Sequence, residues 1–454
     1  MSLFYLPVEI SKRELIGKIF LGAKLASEGH QVIIFESSLF DATHWPYPGT
    51  YIGKNCFRTE PPTNMIYYSQ MKKQDINICL LDEEGGIFPG SAEPEWRERL
   101  LARFDLSKLD DNDRIFSWGN WQADAYANKK PDAPIAITGS PSFDVLQRKY
   151  GKSLENFDRL QTKGLKNYVL INTRFSSSNG LRPMKWVLSN QGPNTSLAGE
   201  VLADEIINDG TMQYHMTALV KKLSYQLPEE NFIIRPHPAE DSNFYQDIFQ
   251  YTKNVHVLSD GDVSSWIRRA KALIHFGCTT AIQADIYGAD VITYAPKTLG
   301  LYEGPALPNL VGAICETYEE VYDALINQNK PNSHPVWEDT ISELDSIDAI
   351  SLICQKMLSN KNIPNLSCSL KVHFFIYKMK RKAIDFLRLF YRKRYLEHQL
   401  NIQKFDYNFF SLSTEIFNGA KSYYNADITL KAKQSDYFII EPNQGKGSVL
   451  QSKV

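Results

Sequence analysis

Arg235-Pro236-His237-Pro238 follows the apolar run Phe232-Ile233-Ile234 and is a sharp candidate for chemistry in this 454-residue chain. Prolines on both sides of His237 hold the backbone extended and remove two competing N–H donors. An imidazole on so stiff a strand end, two positions from a guanidinium, makes a donor pair suited to a phosphate group. A solvated loop histidine is the plainer account of any single His. The bracketing prolines, the arginine and the place after a strand favour the phosphate reading.

A second candidate lies about forty residues downstream, in HFGCTTAIQA, where Gly277, Cys278, Thr279 and Thr280 separate an apolar run from a helical pattern. Gly277 lets a ligand approach the backbone, and Thr279 and Thr280 are positioned to cap the helix. Free N–H groups and the positive dipole end at a helix start form an anion site, with Gln283 in the same helix. Capping alone would explain the threonines. Paired with the His-Pro strand end, the stretch reads as the other wall of one phosphate site, with Asn172 and Thr173 at a further strand end lining it. Neither GxGxxG nor GxxxxGK[ST] occurs, so neither a dinucleotide fingerprint nor a P-loop applies.

The third candidate is acidic. Asp82, Glu83 and Glu84 follow the apolar run ending at Leu81 and precede Gly85-Gly86. A carboxylate there can serve as general base or nucleophile, although acidic strand ends are also common as plain turns. Strand alternation sends Glu83 one way and its neighbours the other. With no second acidic or His/Cys cluster close by, no metal is expected. WGNWQ, TGSPSFD and INTRFSSSNG again place small or hydrogen-bonding residues after strands, and Asn120, Gly139 and Ser140 are candidates for lining an acceptor cleft. Trp118 and Trp121 read equally well as core.

These residues need elements to hold them. Strand-like runs at 4–7, 31–35, 76–81, 114–118 and 134–138 alternate with helical spacing, as at 14–28, 95–104 and 121–127. The pattern restarts at 168–173, 232–236, 255–258, 271–276 and 290–296, after a polar, charged stretch at 151–167 that reads as a linker. Such alternation predicts parallel sheets covered on both faces, with ligands beyond the carboxyl ends of the strands. The expected architecture is α/β, with two Rossmann-like domains facing a cleft (1–160 and 161–330) and a helical extension over 331–454.

Composition narrows the class. The chain is 43% hydrophobic and 22% charged with formal net charge -2, which speaks against a chain-wide nucleic-acid surface. No apolar run approaches the roughly 20 residues of a membrane span, and the start lacks the pattern of a secretory signal. Six scattered cysteines without CxxC spacing read as reduced thiols in a cytosolic protein. Residues 371–394 differ: nine Lys/Arg and one acid, Asp385, alternate with aromatic and aliphatic residues. That is either an amphipathic helix lying on an anionic membrane or a packed helix with a solvated basic face.

Taken together, PVEISKREL, LDEEG, RIFSWGNWQA, ITGSPSFD, LINT, RPHP and LIHFGCTTAIQA resemble a family of bacterial surface-carbohydrate biosynthesis proteins. The resemblance spans about residues 4–300 and leaves out the basic tail. That family is similar to capsule and lipopolysaccharide glycosyltransferases that use CMP-activated ulosonic acids, the retaining Kdo transferases among them. The resemblance implies a GT-B fold, no metal or other cofactor, and transfer of a Kdo-like or nonulosonic sugar, such as pseudaminic acid, from a CMP-activated donor to a glycan or lipid-linked acceptor. It further implies that His237-Pro238 holds the CMP phosphate and that Gly277 to Thr280 complete the grip. The acid that those transferases carry in a Glu-Asp-Gly setting falls on Glu83-Glu84-Gly85. Glu84 is the first choice for that role, then Glu83; the change from Asp to Glu adds one methylene. The expected location is the cytoplasm, on the inner face of the bacterial inner membrane. The alternatives are a GT-B transferase or epimerase using a UDP- or GDP-type sugar, and a non-catalytic scaffold for polysaccharide assembly.

Overall fold

The structure, a computed structural model, describes residues 1–37, 47–54, 64–81, 83, 100–101, 105–181, 196–297, 307–327, 348–358, 407–431 and 437–443. The chain forms two compact units. In the first, β1 (Leu3–Val8), β2 (Gln31–Glu36), β3 (Gly49–Gly53), β4 (Ile76–Leu81), β5 (Arg114–Ser117) and β6 (Ile135–Ile137) form a parallel sheet in the order β2-β1-β3-β4-β5-β6. β1 and β2 are buried along their whole length, as a sheet covered on both faces requires. The helix Ser11–Ser27 is buried nearly all round and packs on both of these strands.

β3 does not stand out in the sequence because two glycines bracket only three strand-forming residues. Both are steric necessities. A Cβ at Gly49 would lie 2.6 Å from the Leu3 carbonyl oxygen, and one at Gly53 would lie 2.5 Å from Pro7 Cγ. β3 joins β1 and β4 at the centre of the sheet because its ends carry no side chains.

The second unit holds β7 (Tyr168–Asn172), β8 (Phe232–Arg235), β9 (Val255–Val257), β10 (Ala270–His275), β11 (Asp290–Tyr294) and β12 (Ala313–Cys315). All are parallel, in the order β9-β8-β7-β10-β11-β12. Counted from the start of the unit this is 3-2-1-4-5-6, the doubly wound Rossmann order, and its topological switch point falls between β7 and β10. Two Rossmann-like units in one chain are what the GT-B expectation requires.

The stretch 151–167 is not a linker. Its first part lies in the helix Arg148–Gln161, which buries Tyr150, Leu154 and Phe157 at helical spacing. Asp158 of this helix accepts from Arg268 Nε and Nη2, both at 2.7 Å, which fixes it to the helix Val263–Arg269. The abundant polar residues belong to its outer face and mask three apolar anchors.

The helical extension expected over 331–454 also needs correction. The helices Ala349–Leu358 and Ser413–Tyr423 pack on Ser11–Ser27, but β13 (Ile428–Lys431) and β14 (Tyr437–Pro442) follow them. β14 runs antiparallel to β2, so the C-terminal hairpin extends the first sheet at its edge. Gln31 Nε2 donates to Glu441 Oε2 at 2.9 Å across 410 residues of sequence. A strand whose partner lies so far away has no local signal beyond the short apolar run Phe438-Ile439-Ile440.

Candidate functional site

At the carboxyl edge of the second sheet, Arg235, Asn172, His275 and Thr293 stand in one row on β8, β7, β10 and β11. All four are buried. The switch point lies between Asn172 and His275, and the chain leaving β10 there is Phe276-Gly277-Cys278-Thr279. Thr293 Oγ1 donates to the Val311 carbonyl at 2.8 Å, so His275 Nε2, 2.8 Å away, must carry the ring proton. His275 Nδ1 is then left to accept the Cys278 N–H at 3.4 Å. Burial pushes the His275 imidazole down to about 3, so this relay is neutral and structural.

The Gly277 N–H is taken by Asn309 Oδ1 and the Thr280 N–H bonds to the Cys278 sulfur, so three of the four amides in the GCTT stretch are engaged within the protein. Among the described residues, the Thr279 N–H, just before the helix Thr280–Tyr287, has no partner. The threonines do not cap that helix with their side chains. Thr279 already has helical angles (φ -59, ψ -17), and a capping side chain needs an extended residue. Thr280 Oγ1 instead accepts from Asn172 Nδ2 at 2.7 Å and lies 3.0 Å from Cys278 Sγ. This leaves Asn172 Oδ1 buried without a partner among the described residues. Burial raises the Cys278 thiol, opposed by its contacts with Thr280, so Cys278 stays a thiol. Gln283 is buried one turn into the helix.

The strand end Arg235-Pro236-His237-Pro238 divides its labour differently from the expected donor pair. Arg235 is buried, and its guanidinium donates to the carbonyls of Asp260 (3.2 Å) and Gly261 (2.6 Å), holding the loop after β9. Through these two carbonyls it braces the site. His237 and Pro238 are exposed. His237 Nδ1 accepts the Ala239 N–H at 3.2 Å, so the neutral ring carries its proton on Nε2 as a donor.

Glu240 ties these segments together. Its Oε1 accepts from Thr173 Oγ1 (2.8 Å), Phe175 N–H (2.9 Å) and His237 N–H (3.3 Å), and Oε2 from Tyr245 (2.7 Å). Burial raises the Glu240 carboxyl, opposed by these four donors. The buried carboxyl thus clamps the loop after β7 to the His-Pro turn, and Thr173 is occupied there. The same loop carries Arg174, whose side chain lies over Gly277: a Cβ on that glycine would sit 2.8 Å from Arg174 Nη1. Arg174 is partly exposed and lies 3.9 Å from Asp209. A cation and one unbonded amide therefore lie past the end of β10, and an imidazole past the end of β8 on the same sheet edge, groups of the kind that bind anions.

In the first unit, the switch point lies between β1 and β3, and Glu83 follows β4 beside them. Glu83 is buried, with Oε1 3.5 Å from Lys18 Nζ. Burial pushes its carboxyl up to about 8; Lys18 opposes the shift and Glu14 adds to it. A carboxyl that exchanges its proton near neutrality is suited to proton transfer or nucleophilic attack. Asp82 and Glu84 lie outside the described residues.

No family model matches this chain. No curated protein matches it either. Solved structures of similar chain path include the UDP-GlcNAc 2-epimerase of Methanocaldococcus jannaschii in complex with UDP-GlcNAc and UDP, at 12% identity over 79% of this chain and 100% of that one, TM-score 0.47. The UDP-GlcNAc 2-epimerase of Neisseria meningitidis bound to UDP-GlcNAc is 13% identical over 79% and 100% of the two chains, TM-score 0.45. The wall teichoic acid polymerase TagF is 12% identical over 79% and 88%, TM-score 0.46. At such values the likeness assigns no role to any side chain.

The remaining candidates lie in the first unit. Trp118 is core, edge-on to Phe143 at 4.9 Å. Gly139 has φ +76 and Ser140 is buried, and together they turn the chain after β6 into Pro141–Asp144, beneath Gly17 of the first helix. Asp144 Oδ2 accepts the Ile350 N–H at 2.8 Å and so receives the returning C-terminal chain. Asn120 is exposed at the start of the helix Asn120–Lys129. Among the described residues no group of three or more His, Cys, Asp or Glu is placed to hold a metal ion. Arg174, Glu240, Lys18 and Asn309 were missed by sequence reasoning. Arg174 had a signal, since it follows a strand within INTRFSSSNG; Asn309 had none.

Proposed function

We propose that this chain is a GT-B glycosyltransferase that moves a nonulosonic or Kdo-like sugar from a CMP-activated donor to a surface glycan acceptor, through a carboxylate of the 82–84 segment. The observation that carries the reading is the candidate anion seat at the second switch point: the Thr279 amide, Arg174 over Gly277, and His237 across β7. The donor phosphate binds there, and charge developing on it as CMP departs is stabilised by donors already in place. The lone acceptor Asn172 Oδ1 takes a hydroxyl or amino proton of the nucleoside. Glu83, with its proton exchanging near neutrality, supplies the carboxylate as nucleophile or base, with Glu84 as the sequence-based alternative.

A nucleotide panel tests this reading. CMP raises the melting temperature because it binds the folded state, and His237→Ala cuts both that rise and the transfer rate at least tenfold. Stabilisation by UDP and not CMP would move the donor to the UDP class. Polymer made normally by a Glu83/Glu84 double variant would favour a scaffold.

We further propose that residues 371–394 hold the protein at the cytoplasmic face of the inner membrane, near a lipid-linked acceptor. Among the described residues no helix is long and apolar enough to cross a membrane. The basic segment itself lies outside the described residues, but both of its flanks pack in the first unit. Truncation after residue 370 would therefore strip β13 and β14 from the sheet, and charge replacement is the sound test. Changing the nine Lys/Arg of 371–394 to Gln abolishes sedimentation with phosphatidylglycerol vesicles, since each contributes about 1 kcal/mol near an anionic surface. Undiminished sedimentation would remove the membrane role.

A further inference from the structure

The first unit contains a buried ionic set larger than the transfer reading uses. Lys54 Nζ lies 2.9 Å from Glu14 Oε1 and 3.2 Å from Glu9 Oε2. Glu14 Oε1 also lies 3.3 Å from Arg13, and Oε2 accepts the Glu9 N–H at 2.8 Å. Lys18 Nζ donates to the Ile52 carbonyl at 3.2 Å and lies 3.5 Å from Glu83 Oε1. The side chains of Lys18, Glu14, Glu83 and Lys54 are all 5% exposed or less, so no solvent screens them.

Their pairing runs against local expectation. Glu14 and Lys18 are four residues apart on one helix, the spacing at which a glutamate and a lysine pair with each other. Here Lys54, at the end of β3, takes Glu14 and leaves Lys18 to reach across to Glu83 beyond β4. A fully buried lysine is costly unless it is paired, so its place at the first switch point calls for a function. Glu14 has two cations and an amide against it; Glu83 has one cation within 4 Å among the described residues. Of these two carboxyls, Glu83 is the one that trades a proton.

We propose that Lys18 is a positioning residue for the transfer step: it fixes the Glu83 carboxyl at the β4 end and decides when that carboxyl is ionised, while Lys54 keeps Glu14 from claiming it. The proposal rests on the transferase reading and adds to it residues that touch neither donor nor acceptor. Among the described residues, the charged groups acting on Glu83 are Lys18, Glu14 and Arg13 from the first helix and Lys54 from the β3 end. As nucleophile or base Glu83 works deprotonated, so the rate rises with pH through its titration, and a lost cation moves that rise upward.

The test replaces Lys18 by Met and reads the Glu83 carboxyl by 13C NMR in the full-length protein without substrate, alongside the pH profile of kcat. The Glu83 titration and the rising limb both move up by a pH unit or more, with CMP affinity within twofold of wild type. Lys18→Arg stays within about half a unit of wild type. Lys54→Met moves the titration the same way by less, since it lets Lys18 turn to Glu14, and it serves where Lys18→Met does not fold. An unmoved Glu83 titration in folded Lys18→Met overturns the proposal. The transferase reading fails separately, if wild-type protein neither binds CMP nor transfers a sugar from any nucleotide donor.

Discussion

Glu83→Gln lowers the transfer rate by about 100- to 10,000-fold, the contribution expected of a positioned acid, base or nucleophile, and leaves CMP binding intact. The amide is an isostere of the protonated carboxyl, and that form dominates near neutrality because burial holds Glu83 up at about 8. The substitution therefore removes chemistry without leaving Lys18 newly unpaired at pH 7. Stability gives an independent reading. At Glu83 the folded chain keeps a proton that the unfolded chain has lost between the ordinary carboxylate range and about 8, and this group's contribution follows from that. Unfolding free energy then falls as pH rises through that window and levels off above it. Glu83→Gln lacks this fall, so urea midpoints of variant and wild type coincide near pH 5 and separate toward pH 9, with the variant more stable. Parallel pH curves, or transfer within tenfold of wild type, would take Glu83 out of the mechanism and leave Glu84 to be tested.

Gly277→Ala weakens CMP binding at least tenfold while the chain still folds. Gly277 sits at φ +64, in the left-handed region where an L side chain costs about 1–2 kcal/mol. Its new Cβ would also lie 2.8 Å from Arg174 Nη1 and 2.9 Å from Cδ. The strained turn shifts the amide of Thr279, and the displaced guanidinium loses a charge-assisted contact of about 1.5–3 kcal/mol. Calorimetric titration with CMP reads the loss. Arg174→Ala reproduces the part due to the cation without the strain, so the two variants separate amide geometry from charge. Wild-type affinity in both would place the donor elsewhere.

Residue order alone was enough for the outline. Apolar runs bounded by Gly and Pro announced ten of the strands, because a strand buried on both faces must be apolar throughout. The restart after β6 announced a second sheet, and RPHP and GCTT stood out because prolines, a glycine and hydroxyls after a strand have few other uses. β3 and the short β12 were hidden, one by glycines that only a packed neighbour explains, the other by its length. The stretch 151–167 reads as a linker because the three anchors of the helix Arg148–Gln161 are outnumbered by polar residues on its solvent side.

Only tertiary structure decided which groups meet. It gave Arg235 to the carbonyls of 260 and 261 and set Arg174 over Gly277. It used Glu240 as a clamp and paired Lys18 with Glu83 across 65 residues, where helical spacing had offered Glu14. It also returned Ile428–Lys431 and Tyr437–Pro442 to the edge of the first sheet. The physical reason is common to all of these. Local sequence sets backbone conformation and which faces are apolar, whereas a buried charge or amide takes its partner from whatever the sheet order brings within about 3 Å.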